Sequence, residues 1–154
     1  MRFVSFVKTS INVTLVPGDG IVMHWLREDV KWMGDDGKIY SQPLKGFLSD
    51  GYSVPQCMWG LVRGIPSMLP AYVHDHAYQV GTPKGRADND LYFGILDVGG
   101  PWWTAFKVWI GLKIGGWVAY NRYKRMREQG IDLVALHTAH TMEEVQSSLS
   151  EDLP

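Results

Sequence analysis

The sequence predicts an α+β domain in which an N-terminal antiparallel sheet packs on a C-terminal unit of three helices. Three observations support this. Runs of Val, Ile, Thr and aromatic residues punctuated by Pro, Gly and Asp turns dominate residues 1–54. Helical spacing begins after Pro55 and dominates from Pro70 onward. A length of 154 residues suits one domain, because two would each need roughly 100 residues to build a core. Residues 1–54 are therefore expected to be mainly strand, 55–128 mainly helix, and 129–154 a peripheral segment.

Residues 2–8 and 11–16 read as strands separated by Thr9 and Ser10 and stopped by Pro17-Gly18-Asp19-Gly20. Residues 21–33 read as a further extended run. Asp35-Asp36-Gly37 then turns it into a return strand through Ile39 and Tyr40, since Asp-Gly between two such runs signals a hairpin. Pro70 suits a first helical turn, and Gly81 with Pro83 marks that helix's end. A second helix is expected over about 85–97, before Gly99-Gly100-Pro101, and a third over about 102–128. Thr141 and Glu144 form a possible capping box for a short terminal helix, and the final SEDLP is expected to fray.

Composition narrows the function. A net charge of -1 offers no wholesale basic surface, so nucleic acid is not an expected partner. The single Cys57 allows no intrachain disulfide and, in its apolar setting, reads as a buried inert thiol. The start, MRFVSFVKTSINV, is interrupted by Lys8 and followed by no small-residue cleavage site, so it does not read as a targeting segment. Seven tryptophans are many for this length, and Trp102, Trp103 and Trp109 fall within PWWTAFKVWIGLKIGGWVAY. That stretch has about the length of a membrane span, with Arg122, Lys124, Arg125 and Arg127 following. Lys107, Lys113 and three glycines weigh against a span, which leaves a buried core helix as the preferred reading and a lipid-touching helix as the next. The basic run reads first as a solvated helix end, with anionic headgroups as the alternative contact.

Chemistry concentrates in HDHAYQVGTPKGRADNDLY, residues 74–92. On a helix from Pro70, His74 and Tyr78 are four apart and share a face, while Asp75 is turned about 100° away. On the next helix Leu91, Tyr92, Ile95 and Leu96 define an apolar stripe, and Asp88 falls on it. A buried aspartate needs a partner. In an antiparallel hairpin turning near Thr82, His74 lies eight residues before the turn and Asp88 six after, within side-chain reach. Such an aspartate would fix the imidazole tautomer and leave the other nitrogen free to take a proton. Asp75 remains available for a hard cation such as calcium. Duller readings stand beside these: a structural His74–Asp88 bond, simple packing of Tyr78, solvated Asp75 and His76, and a surface pair of Arg86 with Asp75 or Asp90.

His-Asp-x-x-Tyr on one helix, followed by Ala-Asp on the next, resembles the catalytic core of phospholipase A2 enzymes, most closely the disulfide-free viral and prokaryotic forms. The resemblance implies that His74 activates the attacking water, Asp88 orients His74, Tyr78 bonds within the pair, and Asp75 binds calcium. Those enzymes take further calcium ligands from a glycine-rich loop. Here Asp50-Gly51-Tyr52-Ser53 stands in its place, and Asp50 is either an extra ligand or a turn residue. A broader resemblance rests on DGYSVPQCMWGL, PAYVHDHAYQVG and GRADNDLYFGIL, in that order, ahead of a Trp-rich helix. Over about residues 45–125 the chain looks like a family of small phage and prophage proteins of uncharacterised function. This implies a virion protein, or one held in the host cytoplasm before assembly, whose partners are phage structural proteins or host-envelope lipid.

Two function classes follow. One is a virion-associated lipid hydrolase. The other is a non-catalytic tail or accessory protein whose tryptophans meet a neighbouring subunit. Zinc-dependent cell-wall hydrolysis through His74, Asp75, His76 and Asp88 ranks lower, because His74 and His76 are two apart on a helix and the i, i+4 spacing is missing. His137 and His140 are too peripheral to repair it. Ser53 lacks the Gly-x-Ser-x-Gly elbow of a serine hydrolase.

Overall fold

A computed structural model describes residues 2–3, 13–17, 22–33, 38–49, 62, 64–136 and 138 of the chain. The architecture is α+β, with small antiparallel sheets ahead of a helical unit. The strands are β1 (Arg2–Phe3), β2 (Val13–Pro17), β3 (Val22–Leu26), β4 (Trp32–Met33), β5 (Ile39–Ser41) and β6 (Leu48–Ser49). The helices are α1 (Leu69–Gln79), α2 (Lys84–Asp97), α3 (Trp102–Gly115), α4 (Trp117–Glu128) and the short α5 (Leu133–Leu136).

The strands form two three-stranded sheets, ordered β1-β4-β5 and β2-β3-β6. The 21–33 run is therefore two strands rather than one. β3 pairs with β2 and β6, whereas β4 pairs with β1 and β5. The chain bends at Arg27 and Glu28, and beyond the bend Val30 and Trp32 enter the same core as Leu26. Asp29 Oδ1 accepts the Lys45 backbone N–H at 2.8 Å, which ties that bend to the segment leading into β6. β4 and β5 pair antiparallel, with Trp32 opposite Ser41, while the Asp35-Asp36-Gly37 segment lies outside the described residues. Phe47 makes an isolated antiparallel bridge with Thr138, so the chain beyond α5 returns to the sheet side.

Leu26, Val30, Trp32 and Phe47 from the strand region pack against Leu69, Tyr72 and Val73 of α1. A second cluster, Leu91, Ile95, Ala105 and Val108, joins α2 to α3. A third joins Ala77 and Tyr78 of α1 to Ala87 of α2, with Tyr120 and Tyr123 of α4 against it. Pro70 sits in the first turn of α1, as its missing N–H permits. At the other end Gly81 takes φ +84, a left-handed conformation that suits glycine, and the Thr82 N–H bonds the Ala77 carbonyl at 2.9 Å. Arg127 of α4 completes this end by donating to the carbonyls of Tyr78 and Gln79. One member of the basic run is thus a helix cap, not a solvated charge.

The expected single helix over 102–128 is two helices that meet at Gly116. Adjacent glycines at 115 and 116 lower helix propensity where the chain changes partner. α3 packs on α2, whereas α4 packs on α1. α3 also departs from a buried core helix. Thr104, Ala105 and Val108 are buried, but Trp102 and Trp103 are 64% and 52% exposed. No described helix is long and apolar enough to cross a membrane. Asp50, Ser53, Cys57, His137, His140 and the Thr141–Glu144 cap lie outside the described residues.

Candidate functional site

The turn at 80–83 folds α1 and α2 into the antiparallel hairpin that brings His74 to Asp88. His74 Nε2 lies 3.4 Å from Asp88 Oδ1, and the Tyr78 hydroxyl donates to the same oxygen at 2.7 Å. The rings of His74 and Tyr78 lie with centroids 4.1 Å apart, tilted by 46°, as expected for residues one turn apart on one face. Asp88 is fully buried, and its second oxygen accepts Lys84 Nζ at 2.7 Å, with Lys113 Nζ at 3.6 Å. Lys84 also donates to the Leu112 carbonyl at 2.8 Å, which ties α2 to α3 through the same ammonium.

The electrostatics follow from this geometry. Burial works against a charged Asp88, yet His74, Lys84 and Tyr78 outweigh it and hold the carboxyl down at about 2. Burial likewise opposes a charged His74, but the carboxylates of Asp75 and Asp88 outweigh it and raise its pKa. Burial and the neighbouring Asp88 push the Tyr78 hydroxyl well above its ordinary range, so it stays a donor.

Asp75 faces the other side of the imidazole. Its Oδ1 stands 3.9 Å from His74 Nδ1, and its Oδ2 accepts the Ser49 hydroxyl of β6. Asp75 is therefore held by the sheet beside the dyad rather than solvated. Calcium takes about six to eight oxygen ligands. Asp75 and the Ser49 hydroxyl it accepts do not by themselves make up that set. Among the described residues no three His, Cys, Asp or Glu side chains group as a metal site.

His76 corrects a second expectation. It is partly buried, edge-on to Phe47 with centroids 5.7 Å apart, and its Nδ1 lies 2.9 Å from Ser41 Oγ of β5. The Ser41 hydroxyl proton is directed at the Val73 carbonyl, so the His76 bond is assigned to Nδ1–H donating to Ser41. His74 and His76 thus serve separate networks, and the zinc grouping of His74, Asp75, His76 and Asp88 is not formed. Burial pushes the His76 pKa down to about 4. An unfolded histidine near 6.5 then binds a proton that folded His76 refuses. Its contribution is complete above pH 6.5 and falls by about 3 kcal/mol as pH drops toward 4. Denaturation at pH 7 and 4.5 is expected to show a larger loss for the wild type than for His76→Gln. Equal losses would refute this assignment.

Arg86 pairs with Asp90, not Asp75. Its Nε reaches both carboxylate oxygens at 3.1 and 3.0 Å, and its guanidinium stacks on Tyr40 at 3.8 Å. Asp90 is only 4% exposed, so this is no simple surface pair. Trp109 bridges to α2 by donating Nε1 to Asn89 Oδ1 at 2.8 Å, whereas Trp102 and Trp103 are exposed rather than buried as the core-helix reading expected.

Lys84 is the residue that sequence reasoning overlooked. Its signal was its place four residues before Asp88, an i, i+4 pair on one helix face. Gly116 was read only as a helix weakener. A Cβ there would sit 3.1 Å from the Tyr78 hydroxyl, 3.2 Å from Lys84 Nζ and 2.7 Å from the Leu112 carbonyl. Glycine is what lets the α3–α4 junction approach the cluster. Gly116→Ala is expected to lower stability by about 1–3 kcal/mol in urea denaturation. An unchanged midpoint would show that the junction yields freely.

Comparison with family models, curated proteins and solved structures returned no match to this chain.

Proposed function

We propose that this protein is a lipid-ester hydrolase in which His74 is the general base and Asp88 its orienting partner. The observation that carries the reading is the Tyr78–Asp88–His74 chain, which leaves Nδ1 facing the Asp75 carboxylate across 3.9 Å. With Nε2–H directed at Asp88, Nδ1 presents a lone pair. A gap of that length between two acceptors suits one bridging water. In the proposed step that water's oxygen bonds to the ester carbonyl carbon as Nδ1 takes its proton. The tetrahedral centre then collapses, the ester C–O bond breaks, and the imidazolium returns the proton to the leaving alkoxide. The products are a fatty-acid carboxylate and a lysolipid.

The motif order over residues 45–125 supports a phage setting, with the envelope of the host as substrate surface during genome entry or release. Calcium would be held by Asp75 and would polarise the ester carbonyl. One observation favours a second reading. Lys84 on Asp88 makes the dyad part of a buried ion cluster joining α1, α2 and α3, as in a non-catalytic structural component of the virion. The deciding measurement is fatty-acid release from phospholipid vesicles by the intact protein, with calcium and with chelator. Release supports the hydrolase. No release under either condition overturns it and leaves the structural reading.

A further inference from the structure

The buried side of α3 (Thr104, Ala105, Val108) is matched by an equally apolar side that faces solvent. At about 100° per residue, Trp102, Trp103, Phe106, Ile110 and Ile114 fall within an arc of about 120°. All five are exposed, Ile114 by 79%, and Trp117 and Val118 extend the surface into α4. Such a continuous exposed apolar stripe is uncommon on a water-facing helix. Lys107 borders one edge of the arc and is exposed. Lys113, which falls within the arc, is drawn back over the Trp109 ring and toward Asp88, so its charge leaves the apolar face.

Charge selects the occupant. Of the basic residues between 102 and 128, Lys113 turns to Asp88 and Arg127 caps α1, which leaves Lys107, Arg122, Lys124 and Arg125 against one acidic residue, Glu128, in a chain of net charge -1. Arg122 and Arg125 line a groove that begins at Val118, where the apolar surface ends. Two copies of this chain meeting through the same face would set these cations against one another. A surface of anionic headgroups over hydrocarbon complements both features. The tryptophans and isoleucines enter the headgroup–acyl boundary, and the basic residues meet phosphate.

We infer that the α3–α4 face is a docking surface for an anionic lipid bilayer. This deepens the hydrolase reading by naming how the protein meets a lipid substrate. Its test reads binding alone, so its failure leaves hydrolysis undecided and loss of hydrolysis leaves it untouched. The probe is co-sedimentation with vesicles of phosphatidylglycerol and phosphatidylcholine, against phosphatidylcholine alone, with tryptophan emission recorded in parallel. The wild type is expected to bind the anionic vesicles at least about tenfold more tightly, with a blue shift in emission and loss of binding at high salt. Ile114→Glu combined with Trp103→Glu, and separately Arg122→Glu combined with Arg125→Glu, should each weaken binding at least about tenfold at an unchanged thermal midpoint. Equal binding to both vesicle types, or variants that bind like the wild type, would overturn the inference. So would a solution dimer that Ile114→Glu dissociates, because the face would then belong to a second copy.

Discussion

Asp88→Ala is expected to cost about 3–5 kcal/mol of folding free energy, among the largest effects a single substitution can have here. The carboxylate is fully buried and accepts from the Tyr78 hydroxyl and Lys84 Nζ, both at 2.7 Å, with His74 Nε2 at 3.4 Å. Alanine removes all three acceptor contacts at once. Lys84, itself 5% exposed, keeps the Leu112 carbonyl and the face of the Trp117 ring but loses its counter-charge. The penalty is thus mainly that of an ammonium stranded away from water, not the worth of the pair. The double variant Asp88→Leu with Lys84→Met should therefore recover most of the loss, because it removes both charges. The pH dependence has a definite sign. The Asp88 pKa is depressed from its ordinary 3.8 to about 2, so its contribution is present above pH 3.8 and is lost as pH falls toward 2. Urea denaturation of the single and double variants checks the argument. A single-variant cost below about 1 kcal/mol, or a double variant no better than the single, would contradict it.

The same residues show how far the sequence could be read. Asp88 stood out because a charge on an apolar stripe demands a partner, and His74 was the partner that hairpin geometry placed within reach. Both deductions need only helix periodicity and a short turn, which are local. Lys84 was harder to foresee, since its burial depends on α3 closing over it through Leu112, a contact 28 residues away. His76 and Asp75 read as solvated from the sequence for a similar reason. Their partners, Ser41 and Ser49, come from short strands, and β6 has only two residues and no periodicity to betray it. The division of 21–33 between two sheets was likewise invisible, because extended segments look alike until their pairing is known. The helix break at Gly116 was marked by its glycines, but its consequence depended on α4 meeting α1. The exposed tryptophans mark the limit of hydrophobic patterning: α3 is apolar around most of its circumference, which reads as burial whether the second apolar side meets protein or not.

His74→Ala is expected to abolish lipid-ester hydrolysis, lowering kcat by about 10²–10⁴-fold, the usual worth of a positioned general base. A structural role alone would also lose activity, by unfolding, and the pH dependence of activity separates the two. The two flanking carboxylates raise the His74 pKa and favour its charged form. Only the neutral form can accept a proton from water. Activity should therefore climb as pH rises through a titration lying above 6.5, the ordinary histidine value. Asp88→Asn removes one of those carboxylates and leaves a side chain of the same shape. It should lower the His74 pKa, move the rising limb toward acid, and reduce kcat through poorer orientation of the ring. Stability responds in the opposite direction: a histidine whose pKa is raised on folding contributes most below pH 6.5 and loses that contribution as pH climbs through the folded value. The protein is thus expected to be catalytically strongest where this contact has begun to weaken. Finding the acid limb in the same place in the wild type and Asp88→Asn would assign the proton acceptor to some other group. Full activity in a folded His74→Ala would remove His74 from the chemistry altogether.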